Sequence, residues 1–141
     1  MAYAVGIVLA LLSGVVARVA GLDRDRAFYP TVLIVIASYY VLFAVMAGSA
    51  HALVVESIAM TAFAFAAVAG FKLNLWLVVG ALAGHGVFDF VHGHLVTNPG
   101  VPAWWPTFCL AYDAFLAALL AWLLRRGAIP PYGIDRARVV E

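Results

Sequence analysis

Charge is what this chain most lacks. Only 11% of its 141 residues are Asp, Glu, Lys or Arg, 67% are hydrophobic, and the mean hydropathy is +1.06. That balance excludes an ordinary water-soluble domain, because a chain this short has no interior large enough to hide so much apolar surface. The basic residues are too dispersed to follow a phosphate backbone, so no nucleic-acid partner is expected. Cysteine is nearly absent too: Cys109 stands alone, which rules out an internal disulfide and a CxxC site. A basic leader is also missing. The first basic residue, Arg18, closes the first apolar stretch, which suits an uncleaved span better than a cleaved signal peptide. No linker, repeat or low-complexity stretch marks a second domain.

What the chain does have is long apolar runs. Roughly 20 residues at about 1.5 Å each cross about 30 Å of hydrocarbon. The runs predict an all-α, polytopic integral membrane protein with five transmembrane helices in a compact bundle, over residues 2–19, 31–47, 50–70, 75–91 and 105–124. These form one domain of residues 1–126, followed by a short polar tail, 127–141. Gly6, Ala10 and Gly14 form a row of small residues that would let another helix approach closely, and Gly80 and Gly84 read the same way on the fourth span. Pro30 fits a helical first turn. The Pro and Gly in residues 92–103 predict a loop, and Trp104-Trp105-Pro106 an interfacial anchor.

Five crossings put Arg18, Arg24, Arg26, Lys72, Arg125, Arg126, Arg136 and Arg138 on one side and no basic residue on the other. By the positive-inside rule that side is cytoplasmic, giving an outside N-terminus and a cytoplasmic C-terminus in the plasma (inner) membrane. Membrane lipids are then the first partners, with anionic headgroups a natural contact for the arginines. Homo-oligomerisation or membership of a larger membrane complex stays open.

Against this background the stretch Gly84-His85-Gly86-Val87-Phe88-Asp89-Phe90-Val91-His92-Gly93-His94 stands out. Ionisable groups in lipid are costly unless they meet a partner, a cation or water. His85, Asp89 and His92 fall at i, i+4 and i+7, one stripe of a helix. Glu56 and Asp113 lie at similar depth on the neighbouring spans, so the acids and imidazoles converge in the outer half of the membrane. His85, Asp89, His92, Glu56 and Asp113 are the expected metal ligands, with Glu56 or Asp113 also able to act as the catalytic carboxylate. His85 and His92 are too far apart to share one ion comfortably. A mixed imidazole and carboxylate set suits a divalent Zn, Fe or Mn rather than Cu(I).

The resulting expectation is a small metal-dependent membrane enzyme, a hydrolase or an oxidoreductase, acting on a lipid or apolar small molecule. Phe88, Phe90, Trp104 and Trp105 are candidates for an apolar pocket beside the site. Cys109 reads as packing. The alternatives are a binding module for haem b, a metal or a quinone, with His85 or His92 opposite His51 as the haem pair; a proton or ion conductor; and an accessory subunit.

Overall fold

The computed structural model describes residues 1–24 and 26–130, and these are all-helical. Five helices, α1 (Ala2–Ala20), α2 (Phe28–Met46), α3 (Ala50–Lys72), α4 (Leu75–Leu95) and α5 (Trp105–Arg125), are each long and apolar enough to cross a membrane. The tail beyond residue 130, with Arg136 and Arg138, lies outside the described residues.

The helix ends follow local chemistry. α1 stops at Gly21, whose φ of 74° places it in the left-handed region that glycine adopts freely. Gly48, at φ 64°, turns the chain between α2 and α3, and Ser49 caps α3 by accepting the Ala52 N–H. Asn74 caps α4 in the same way through the Trp76 N–H. Pro30 is the third residue of α2, where its missing N–H has no intrahelical acceptor to lose.

One boundary differs from the sequence reading in a way that matters. α4 runs on through His92, Gly93 and His94 to Leu95, four residues beyond the expected end at 91. Gly93 weakens a helix without ending it. The chain leaves the helix only at Val96, three residues before Pro99, which disfavours helical backbone at its predecessor Asn98. His92 is thereby held rigidly on the same helix as His85 and Asp89.

α4 packs against both α3 and α5, and α2 packs on α3 and also touches α4. α1 lies mainly against α5 and parallel to it: Gly6 faces the Phe108 carbonyl and the backbone of Tyr112, and Gly14 faces the Leu119 side chain. A Cβ at Gly6 would meet that carbonyl, so the row of small residues does allow the close approach expected of it. Gly80 and Gly84, by contrast, have nothing within 4 Å of where a Cβ would stand. That face of α4 is unpacked, and Gly86 is the residue that faces α5, at Leu110 and Asp113.

The two ends of the bundle differ in kind. Tyr29, Leu33, Ala67, Leu75, Leu82, Leu116 and Leu120 belong to one continuous apolar core near the starts of α2 and α4 and the ends of α3 and α5. Among the described residues, every Arg and Lys lies at this end. Arg18 bonds both Asp23 and the Ala128 carbonyl at 3.1 Å, tying the α1–α2 turn to the segment after α5. Asp23 is therefore a buried structural partner rather than a solvated loop acid. The opposite end holds the polar residues.

The α4–α5 loop closes that polar end. Gly100 passes so near α2 that a Cβ would strike the Phe43 carbonyl. Gly100→Ala is expected to cost about 1–3 kcal/mol, through backbone displacement rather than a side-chain shift. Thermal unfolding of the purified protein would measure it, and a Tm equal to wild type would show that the loop yields freely.

Candidate metal centre

Four helices and a loop deliver the polar side chains, with Tyr40 coming from α2 and Asn98 from the loop. α4 contributes His85 and Asp89 one turn apart and His92 two turns from His85; α3 contributes Glu56, and α5 contributes Asp113. All five are almost completely buried, Asp113 at 0% exposure and Glu56, His85 and Asp89 at 1%. They sort into two groups.

The first group is His85, Asp89 and Asp113, each of which offers a ligand atom within 4.8 Å of the other two. His85 Nδ1 shares a 2.6 Å hydrogen bond with Asp113 Oδ2 and lies 3.4 Å from Asp89 Oδ2. The Tyr40 hydroxyl donates to Asp89 Oδ1 at 2.6 Å. The second group is His92 and Glu56, joined at 2.7 Å between Nε2 and Oε1, with the Asn98 amide donating to the same Glu56 oxygen at 3.0 Å.

Of the five expected ligands, the fold thus brings three together and sets His92 with Glu56 as a separate pair. The reason is spacing: seven residues of helix carry His92 roughly 10 Å along α4 from His85, where it meets α3 instead of α5. His51 and His94 are exposed and belong to neither group. A haem held between α3 and α4 would need His51, which stands outside both, while His85 and His92 already hold carboxylates.

Tyr40 joins the groups. Its hydroxyl holds Asp89, its ring stacks on His92 with centroids 4.1 Å apart at 20°, and its carbonyl accepts from Asn98 at 3.0 Å. Phe63 packs edge-on to the His85 ring at 4.7 Å, and Phe88 lies between His85 and His92. Of the expected aromatic pocket residues, Phe88 therefore flanks the site, whereas Phe90 is 70% exposed on the other side of α4. Sequence reasoning missed Tyr40 and Asn98. Tyr40 looks like one more aromatic in an apolar span, and Asn98 like ordinary turn chemistry before Pro99; a polar atom at the depth of the acids was the available signal.

Each of the three carboxylates in these two groups uses one oxygen and leaves the other without a hydrogen bond: Asp89 Oδ2, Asp113 Oδ1 and Glu56 Oε2. His85 Nε2 is equally unpartnered. Buried polar atoms are normally satisfied, and each orphan costs about 1–3 kcal/mol, more when charged. A cation bound by the first group would remove that cost for Asp89 Oδ2 and Asp113 Oδ1. Metal bonds of about 2.0–2.2 Å put two ligand atoms of one ion roughly 3–3.5 Å apart. The 3.4 Å separation of His85 and Asp89 fits this. The 2.6 Å contact to Asp113 is a hydrogen-bond length, so an ion held at His85 Nδ1 would have to replace that bond.

Tyr40→Phe tests how tightly Asp89 is held. Loss of the hydroxyl leaves Asp89 Oδ1 buried without a donor, and a destabilisation of about 1.5–3 kcal/mol is expected. Chemical denaturation in mild detergent checks it; an unchanged midpoint would mean that Asp89 finds another donor.

Comparison of the chain with known protein families, with curated proteins and with solved structures gives no match. The functional reading therefore stands on the site alone.

Proposed function

We propose that the protein is a multi-pass membrane enzyme whose divalent metal is held by His85, Asp89 and Asp113 and whose substrate is a lipid or apolar small molecule. The observation that carries this is the set of orphaned atoms on three mutually adjacent, buried ligand residues. One imidazole and two carboxylates are a borderline-to-hard donor set, suited to Zn, Fe or Mn. When bound, a divalent metal would supply Lewis acidity toward water or a carbonyl in a hydrolase or, where the metal is iron or manganese, redox chemistry in an oxidoreductase.

The residues around it have distinct tasks in this reading. Tyr40 fixes which oxygen of Asp89 faces inward. Glu56 orients His92 through the 2.7 Å bond to Nε2, so that the pair, rather than Glu56 alone, is the acid–base group of the site. Phe63 and Phe88 keep water away and strengthen every electrostatic contact inside. The basic end of the bundle faces the cytoplasm of a plasma (inner) membrane protein and the site faces the outer leaflet.

A proton or ion conductor is the weaker reading, because the apolar core from Leu75 to Leu82 and from Leu116 to Leu123 fills the half of the bundle that a pathway would have to cross. A second reading does have an observation of its own. The 2.6 Å bond between His85 and Asp113 is complete without an ion, and it suits a purely structural polar core of two buried pairs.

Metal analysis of protein purified without chelator separates these readings. Bound divalent metal at about one equivalent per chain is expected for an enzyme of this kind. Protein that stays metal-free after incubation with Zn(II), Mn(II) and anaerobic Fe(II), yet remains folded, would remove the enzyme reading in favour of the structural one.

A further inference from the structure

The polar site is closed to its surroundings: Glu56, His85, Asp89 and Asp113 are at most 1% exposed and His92 is 2% exposed. A molecule that reaches these residues must displace an element of the fold. The helices around them are each closed by their own ladder of backbone hydrogen bonds and do not bend aside without cost. The nine residues that join α4 to α5, between Leu95 and Trp105, have no such ladder and lie across the polar end.

A few identifiable contacts hold this loop down. It is buried at Val96 and Asn98, whereas Thr97, Pro99 and Ala103 are exposed. The Asn98 amide donates both to Glu56 Oε1 and to the Tyr40 carbonyl, each at 3.0 Å, and its own oxygen accepts the Gly100 N–H at 3.2 Å. One side chain thus ties the loop to α3, to α2 and to itself. Gly100, seated against the Phe43 carbonyl, adds packing on α2.

We propose that the α4–α5 loop is the entrance of the site and Asn98 its latch: the loop lifts from α2 when Asn98 releases Glu56 and the Tyr40 carbonyl, and the substrate's head enters from the polar end of the bundle. Two donors on one planar amide grip two helices, so both bonds break in a single movement. Glu56 keeps His92 and has Oε2 unpartnered, and in place of the amide it accepts from an incoming group. That group carries a hydrogen-bond donor, such as a hydroxyl. Substrate entry rests on the metal-centre reading; the latch itself does not.

The test uses the whole protein in mild detergent, freed of metal by a chelator and treated with diethyl pyrocarbonate, with the modification of each histidine followed by mass spectrometry. The exposed His51 and His94 are internal references. In the wild type His92 should react about a hundredfold more slowly than His94, at a rate that subdenaturing urea leaves unchanged, because a local opening exposes little new surface. Asn98→Asp keeps an acceptor for Gly100 but sets a carboxylate against Glu56 and the Tyr40 carbonyl, and Asn98→Ala removes all three bonds. Each should speed His92 at least about tenfold relative to His94, the factor that losing two buried hydrogen bonds carries, while hydrogen exchange of the Leu82 and Leu116 amides stays at the wild-type rate. Thr97→Ala, at an exposed loop position, should change neither rate. A wild-type His92 rate that climbs with urea in step with core exchange would overturn the proposal, since His92 would then be reached by unfolding. So would Asn98 variants in which His92 reacts no faster than in the wild type, which would place the entrance elsewhere. The expected rates in a protein that binds no Zn(II), Mn(II) or Fe(II) would support the latch and remove its role in admitting substrate, whereas unaltered His92 reactivity in a protein that does bind metal would leave the metal centre standing and remove the latch.

Discussion

His85→Ala is expected to reduce the metal that purifies with the protein from about one equivalent to under about a tenth, the scale of loss that follows removal of a ligand. His85 is the one residue of its group that touches both carboxylates, at 2.6 Å and 3.4 Å. Without it Asp89 and Asp113 face each other with no donor from α4 between them, and burying the pair costs about 3–5 kcal/mol unless one takes up a proton. Two losses are therefore superimposed, of metal and of stability. Asp113→Asn separates them: the amide keeps the shape and can still bond His85, so the fold should hold while metal is lost. The measurements are metal content and thermal unfolding on the same preparations. A folded Asp113→Asn protein that retains its full complement of metal would place the ion elsewhere.

Glu56→Leu should be as damaging to the fold and nearly silent in metal content. Among the described residues Glu56 is the acceptor for His92 Nε2, and it also accepts from the Asn98 amide, so its removal strands two buried N–H groups and leaves the α4–α5 loop held there by the Asn98 bond to the Tyr40 carbonyl. Breaking one partner of such a buried pair costs about 3–5 kcal/mol. Replacing both partners with apolar groups costs much less, so adding His92→Phe to Glu56→Leu should recover most of the loss. Denaturant midpoints of the two single variants and the double variant form the cycle that reads this coupling. Metal content carries the second half of the prediction. A fall as large as that of His85→Ala would mean that the coordination sphere reaches Glu56, which is how the spacing of the acids alone reads.

The division between the two groups shows where sequence reasoning stops. The stripe formed by His85, Asp89 and His92 is a property of helical spacing, and so is the argument that His85 and His92 stand too far apart for one ion. Which acid each imidazole meets depends on the facing of α3 and α5 around α4, and that is set by packing contacts such as Gly86 against Leu110 and Gly6 against Phe108. The expectation that Gly80 and Gly84 seat α4 fails for the same reason, since a small residue permits close approach without choosing a partner. Tyr40 and Asn98 were hidden because their roles come from elements distant in sequence, with Asn98 reaching Tyr40 and Glu56 across 58 and 42 residues.

By itself the sequence determined the number of apolar helices, the gathering of basic residues at one end and the depth at which the acids and histidines lie, because hydropathy, helical rise and charge placement are additive along a chain. Only the tertiary structure decided that three of those residues form one group and two another, and that Tyr40 ties them together. Those features depend on the rotation of each helix about its own axis, and no local preference fixes that angle. It is chosen by the mutual fit of all five helices at once.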